Sequence, residues 1–270
     1  MADLTGRVVA ITGGARGIGL ATARAFAAAG ARVALGDVDA GLASAAAAPL
    51  GGMATPLDVR DPDSFAAFLK AAETDLGPVD VLVNNAGVAP VGNFVELDRA
   101  VIDLQVDVNL RGVLLGTRLA LPAMMARGRG HIVNVASLAG RLPLPGAAVY
   151  TATKHAVVGL SEAVRAEVRP SGVRVTAVLP TFATTELVAG LPLRGVPVVP
   201  PERIAAAIVR AVRRGGPPIV AVPRWMGALP RLAAFTPYRV VDALRRLGPG
   251  PEVDRAARAD YERRVSDLLG

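Results

Sequence analysis

Two spacings of apolar residues alternate along this chain. Val8 to Thr12 reads VVAIT, a short β-branched run bounded by turn residues, which predicts a strand buried on both faces. Runs of the same kind recur at Arg32–Gly36, Met53–Leu57, Val79–Val83, Gly130–Ser137, Arg174–Leu179 and Pro218–Val222. Between them lie longer helical patterns. An Ala-rich helix reaches about Ala29 and is ended by Gly30. Another opens on Asp61-Pro62-Asp63, an acidic cap with Pro in the first turn, and stops at Gly77-Pro78. A helical region spans 95–125, a further run contains Tyr150, and the next covers Pro201 to Arg214. Strands alternating with helices predict an α/β architecture, a doubly wound parallel sheet of about seven strands with helices on both faces. The 270 residues are enough for one such domain with a well-buried core.

Ligands of such sheets bind beyond the carboxyl ends of the strands. Gly13, Asp37, Asp58, Asn84, Ser137 and Thr181 each follow a predicted strand, so they converge on one edge. Gly13-Gly14-Ala15-Arg16-Gly17-Ile18-Gly19 joins strand to helix, where glycines admit a pyrophosphate and the helix N-terminus favours its charge. Asp37, past the second strand, suits the hydroxyls of an adenosine ribose and repels a 2′-phosphate. Arg16 pulls the other way, since it can reach such a phosphate. Asn84-Asn85-Ala86-Gly87 is compact enough to let a cofactor lie against the strand end, or it is a simple turn. Asn109, between Val108 and Leu110, is a poor helix former that needs a partner if buried.

Tyr150 and Lys154 are four apart on one helix face. A cation beside a phenol favours the phenolate and lowers its pKa, which makes a general acid/base. The Ser137 hydroxyl, at the end of HIVNVAS, is placed to hold a substrate oxygen against that phenol.

Composition narrows the chemistry. The net charge is +7, and the 52% hydrophobic fraction owes much to Ala. Cysteine is absent and His occurs only at 131 and 155, so neither disulfides nor a metal site is expected. The opening MADLTGRVVAITGG has no leader-like character and no run approaches the length of a spanning helix, so a cytoplasmic location is expected. Lys occurs only at 70 and 154 in a chain that otherwise uses Arg, which marks 154 as a place for a compact ammonium.

Taken together, TGGARGIG (12–19), Asp37, Asp58-Val59, NNAG (84–87), Asn109, Ser137, Tyr150 and Lys154 resemble, in order and approximate spacing, a single-domain short-chain dehydrogenase/reductase. The resemblance covers about residues 5–222 and implies a Rossmann-type fold. It implies that Tyr150 is the general acid/base, that Lys154 lowers its pKa and holds the nicotinamide ribose, that Ser137 orients the substrate oxygen, and that Asn109 anchors a water relay to Lys154. Cofactor contacts are then expected from Gly13, Arg16, Gly17, Ile18, Gly19, Asp37, Asp58, Val59, Asn84, Asn85, Ala86, Gly87, Tyr150, Lys154, Ala183 and Thr185. The family often has Pro-Gly after the sixth strand; Pro180-Thr181 departs from that and makes Thr185 the carboxamide contact. Weighing Asp37 above Arg16, the expected cofactor is NAD rather than NADP.

The segment 181–199 reads as a substrate lid whose only charges are Glu186 and Arg194, and Val88-Ala89-Pro90-Val91, Leu138, Leu142 and Leu144 add apolar surface. A lipophilic alcohol or ketone is expected, such as a steroid, a retinoid or a long-chain alcohol. The alternatives are an NADPH-dependent ketoreductase of acyl-type substrates and a non-catalytic NAD(H)-binding regulator, the second disfavoured by the complete Asn-Ser-Tyr-Lys set. Residues 1–223 form the expected catalytic domain and 224–270 an extension. From 202 to 246 nine Arg face only Glu202 and Asp242, interleaved with Trp225, Met226, Leu229, Leu232, Phe235, Val240, Val241, Leu244 and Leu247. This stretch suits a cover over the substrate mouth, a neighbouring subunit, or an anionic membrane surface. Pro230 and Pro237 prevent one long helix. Homodimers or homotetramers are expected, and nucleic acid is not.

Overall fold

The computed structural model describes residues 3–191, 197–230, 236, 239 and 254–269. The main sheet has seven parallel strands: β1 (Val8–Thr12), β2 (Arg32–Asp37), β3 (Met53–Pro56), β4 (Val79–Asn84), β5 (Gly130–Val135), β6 (Val173–Pro180) and, after two short strands of the lid, β9 (Ile219–Val222). Their order is β3-β2-β1-β4-β5-β6-β9. The chain winds outward from β1 to β3, then returns to the other side of β1, so the switch point lies between β1 and β4. The register sets strand ends level: Thr12 opposite Gly36, Asp37 opposite Pro56, Asn84 opposite Asn134, and Pro180 opposite Val222.

Each buried strand feeds two cores by alternation. Val9, Ile11, Val33, Leu35, Val81 and Val83 face α1 (Gly17–Ala27) and α7 (Pro201–Arg213), meeting Phe26, Ile204 and Ile208. Val8, Ala10, Ala34, Leu82 and Ile132 face the opposite layer, with Phe65 and Phe68 of α3 (Pro62–Leu76) and Met124 of α5 (Gly112–Ala126). All of these side chains are essentially sealed from solvent. This two-sided burial is why the strands read as unbroken apolar runs.

Three features depart from expectation. Helix α2 (Ala40–Ala47), capped by Asp39 through Leu42 N–H, has no apolar stripe to announce it. The single helical region expected over 95–125 is divided into α4 (Arg99–Val106), a π-helical turn at Asp107–Arg111, and α5. The π turn carries Asn109, and Gly112 follows it with Val59 so close that a Cβ there would come within 2.8 Å. Finally, besides α6 (Ala148–Val168), which carries Tyr150 and Lys154, there is a terminal helix, α8 (Arg255–Leu269), that no periodicity had marked and that packs on α4 and the lid. The lid is pinched at its base by the pairing of β7 (Phe182–Ala183) with β8 (Val198–Val199) and by the Thr181 hydroxyl donating to Pro197 O at 3.0 Å. Arg194, and Leu232, Phe235, Pro237, Val240, Val241, Leu244 and Leu247 of the tail, lie outside the described residues. Of the rest of the tail, Met226 is buried, Leu229 packs beside it, and Trp225 is exposed.

Candidate active site

The Gly-rich turn opens directly from β1. Gly13 has φ +61°, and a Cβ at Gly19 would stand 2.0 Å from Gly13 O, so the turn closes only with glycine at these places. Arg16 precedes α1 without capping it, and no acid occupies the first turn, which leaves the backbone N–H groups for an anion. Ile18 packs on the core beneath. Asp37 ends β2, is nine-tenths buried, and accepts from Ala15 N (3.0 Å) and Asp39 N (3.2 Å). Its carboxylate thus lies against the Gly-rich turn with lone pairs to spare. These residues fit a dinucleotide: a glycine cradle that any Cβ would fill, a helix N-terminus, and a buried acid beside both.

Across the switch point the 84–87 loop lies flush against that turn. Asn85 Nδ2 donates to Thr12 O and Gly13 O, both at 3.0 Å, while Thr12 Oγ1 accepts from Asn85 N and Ala86 N, also at 3.0 Å each. Thr12 is a brace that sequence reasoning passed over. Asn84 corrects its expected role: its side chain turns inward, donating to Asn134 Oδ1 (2.9 Å) and Thr117 Oγ1 (3.3 Å), and only 2% of the residue is exposed. Its side chain ties β4 to β5 and α5. Asp58 is likewise engaged, gripped by Arg60 Nε and Nη2 at 2.8–3.0 Å. Burial pushes its carboxyl up, but the Arg60 hydrogen bonds outweigh that and hold it below the usual range. Val59 is buried against α5. Arg16 is drawn to Asp39 (3.0 Å) and to Glu186 of the lid (3.6 Å). Thr185 lies against Gly17, 3.2 Å from where a Cβ would sit, and Ala183 is buried on the core.

Ser137, Tyr150 and Lys154 meet beside this loop. Ser137 follows β5 by two residues and its Oγ accepts from Ala139 N at 3.1 Å. Lys154 is 4% exposed, donates from Nζ to Val135 O at 2.9 Å, and holds Nζ 5.6 Å from the Tyr150 ring centre. Gly87 is the near wall: a Cβ there would stand 3.1 Å from Asn109 Oδ1 and 3.7 Å from Lys154 Nζ. Asn109 is fully buried and has the partner its burial demands. It accepts from Val88 N (2.8 Å) and donates to Val88 O (2.7 Å) and Thr153 Oγ1 (3.4 Å). Its amide is therefore committed to the peptide of the β4 loop as a positioning clamp.

The electrostatics also correct one expectation. Burial pushes the Tyr150 phenol above its ordinary value, against a smaller lowering by its hydrogen bond with Ser137. Burial lowers the Lys154 ammonium to about 8. The phenol and the ammonium are desolvated together, and for the phenol burial outweighs what lowers it.

Two further residues stand over the site and were missed. Tyr261 Oη accepts from Ala89 N at 2.6 Å, and Arg258 Nη2 donates to Ala89 O at 2.6 Å. Both come from α8. Arg258, Tyr261 and Val265, three and four apart, are the signal that was available.

The sequence profile of the short chain dehydrogenases matches residues 7–193. The chain belongs to the short-chain dehydrogenase family. Among relatives, it is 36% identical over 217 residues to oxidoreductase UcpA of Escherichia coli K12, covering 78% of this chain and 82% of that protein. It is 42% identical over 191 residues to cis-4-hydroxycyclohexanecarboxylate dehydrogenase of Sinomonas cyclohexanicum, covering 69% and 77%. Among solved structures, a 3-ketoacyl-(acyl-carrier-protein) reductase from Brucella melitensis, complexed with NADH, superposes with a TM-score of 0.76 at 31% identity, over 81% of this chain and 97% of that one. This short-chain dehydrogenase is thus an NAD(P)-dependent oxidoreductase acting on alcohols or ketones.

Proposed function

We propose that this short-chain dehydrogenase interconverts a lipophilic secondary alcohol and its ketone using NAD(H). The observation that carries the reading is the meeting of Ser137, Tyr150 and Lys154 beside the glycine cradle and Asp37. In the direction of oxidation, Ser137 holds the substrate hydroxyl by a hydrogen bond and Tyr150, as phenolate, takes its proton at Oη. Lys154, held by Val135 O, keeps positive charge beside that oxygen and favours the phenolate. Asn109 fixes Val88 and Gly87 at the edge of the site. Bound NAD⁺ would supply the acceptor for the hydride that leaves the carbinol carbon. Asp37, the Gly13–Gly19 turn and Asn85–Gly87 would hold it, with Thr185 beside the turn. NAD is favoured over NADP because Asp37 lies against the turn and Arg16 is already occupied by Asp39 and Glu186.

Pro90 and Val91 after β4 and Leu142 and Leu144 after β5 are only partly buried, and this apolar surface supports a lipophilic substrate. We read 1–223 as the catalytic unit, 224–270 as an extension serving it, and the cytoplasm as its location, which suits a chain without cysteine. Leu114 and Met125, three turns apart on α5 and both exposed, support assembly with further copies of this chain. Among the described residues no helix is long and apolar enough to cross a membrane. The test is a panel of alcohols and ketones with NAD(H) and NADP(H), followed by absorbance of the reduced nicotinamide. Turnover of lipophilic alcohols with NAD⁺ is expected. Turnover confined to NADPH and acyl-type ketones, or no turnover at all, overturns the reading.

A further inference from the structure

Helix α8 returns from late in the chain to dock on the β4 loop and the lid. Its approach is anchored where Asp254 N donates to Gly190 O at 2.8 Å. Gly190 has φ +70°, and a Cβ there would lie 2.3 Å from Asp254 O, so lid and tail touch backbone to backbone. Arg258 is 1% exposed, and its guanidinium donates to carbonyls: Leu187 O (3.2 Å) and Ala189 O (3.1 Å) of the lid, and Ala89 O (2.6 Å) of the β4 loop. The guanidinium also stacks over Tyr261, 4.5 Å from the ring centre. Arg264 pairs with Glu186 from the same helix. One buried cation therefore holds together the two loops that flank the substrate side.

Tyr261 is the next residue inward. It is 6% exposed and its ring packs with Val88, Leu104 and Val265. Its oxygen is fixed by Ala89 N–H, and no described residue accepts its own proton. It lies close enough to Tyr150 for the two groups to interact electrostatically, and burial pushes its phenol up to about 12, so it remains a donor throughout the working range. A buried O–H with no acceptor is costly, and a ligand oxygen relieves that cost.

Resting on the alcohol–ketone reading, we propose that α8 is the specificity wall of the substrate pocket. Tyr261 donates its proton to a second oxygen of the substrate, and Arg258 is the positioning residue that holds lid and β4 loop at the spacing this requires. The preferred substrates are then lipophilic alcohols that carry another hydroxyl, keto or carboxylate oxygen away from the reacting carbon. The test compares kcat/KM for cyclohexane-1,4-diol and cyclohexanol with NAD⁺, in wild type, Tyr261→Phe and Arg258→Met, beside NAD Kd and thermal melting. Wild type is expected to favour the diol by about tenfold, the scale of one neutral hydrogen bond. Tyr261→Phe, which keeps the ring, should bring that ratio near one through KM while NAD Kd holds. Arg258→Met should raise KM for both alcohols more than it lowers kcat. A wild type that turns over alcohols without preferring the diol overturns the inference, with no variant needed. A ratio that survives in a folded Tyr261→Phe overturns it too. A wild type inactive toward every alcohol of the panel overturns instead the catalytic reading on which it rests.

Discussion

The two sides of the switch point are held together differently. On the cofactor side, Gly13–Gly19, Asp37 and Asn85 are bound to one another by hydrogen bonds among strand ends set level by the sheet. On the substrate side, the β4 loop and the lid depend on Arg258 and Tyr261, which lie 169 and 172 residues from Ala89 in sequence. The first side is as rigid as the sheet. The second depends on a helix brought in from far along the sequence, so it should open more readily.

The largest expected effect lies where the sides meet. Tyr150→Phe keeps the ring and removes the proton acceptor, and turnover should fall by ~10²-fold or more with NAD affinity retained. Undiminished alcohol oxidation by this variant would remove Tyr150 from the mechanism.

A change of pH should instead weaken both sides alike. His131 of β5 is buried, hydrogen-bonded to Thr176 Oγ1 at 2.9 Å, and its pKa is lowered by burial, then by Arg174 and Arg165, to about 4. The unfolded chain therefore takes up the proton first. The stability supplied by the neutral ring is complete above ~6.5 and is lost as pH falls toward 4, about 3 kcal/mol in all. Denaturant unfolding across that window should show the slope, and His131→Asn should flatten it; an equal slope in both proteins would place the acid sensitivity elsewhere.

Gly19→Ala separates the two sides from the cofactor end. Its Cβ cannot coexist with Gly13 O, and roughly 1–3 kcal/mol of strain is expected, seen as about a tenfold or greater rise in NAD Kd. Calorimetry that finds NAD binding unchanged would mean the cradle lies elsewhere. Removing 254–269 separates them from the other end: KM for alcohols should rise while NAD Kd moves less, and the opposite order would reverse the division drawn between the sides.

The smallest effect concerns the ion pairs that join them. Asp39, Arg16, Glu186 and Arg264 form a partly exposed chain across the site. Glu186→Gln should cost no more than about 1 kcal/mol in melting experiments at low salt, and less at high salt.

Much of this was legible in the chain itself. VVAIT and most of the runs like it form strands buried on both faces, the edge strands β3 and β9 less so, and GGARGIG, Asp37, Tyr150 and Lys154 need only that sheet to bring them together. Their neighbours in space are their neighbours along the strand ends, so local pattern and fold agree. Asn84 shows the limit. Its place beside Asn85 suggested a ligand, but which way a side chain points at a strand end is set by what fills the far face, here Asn134 and Thr117. Asn109 and Tyr150 show it again: the partner of one and the raised pKa of the other follow from burial, which only the assembled layers create. Helix α8 lies furthest beyond local reading. Arg258 and Tyr261 look like surface residues of a charged helix until the lid and the β4 loop present carbonyls and an N–H to them. The sheet, its glycine turn and the Tyr-Lys pair were thus determined by sequence, because periodicity and spacing act over a few residues. The wall over the substrate was decided by tertiary structure, because its partners lie 69 to 172 residues apart and meet only when α8 docks on the lid and the β4 loop.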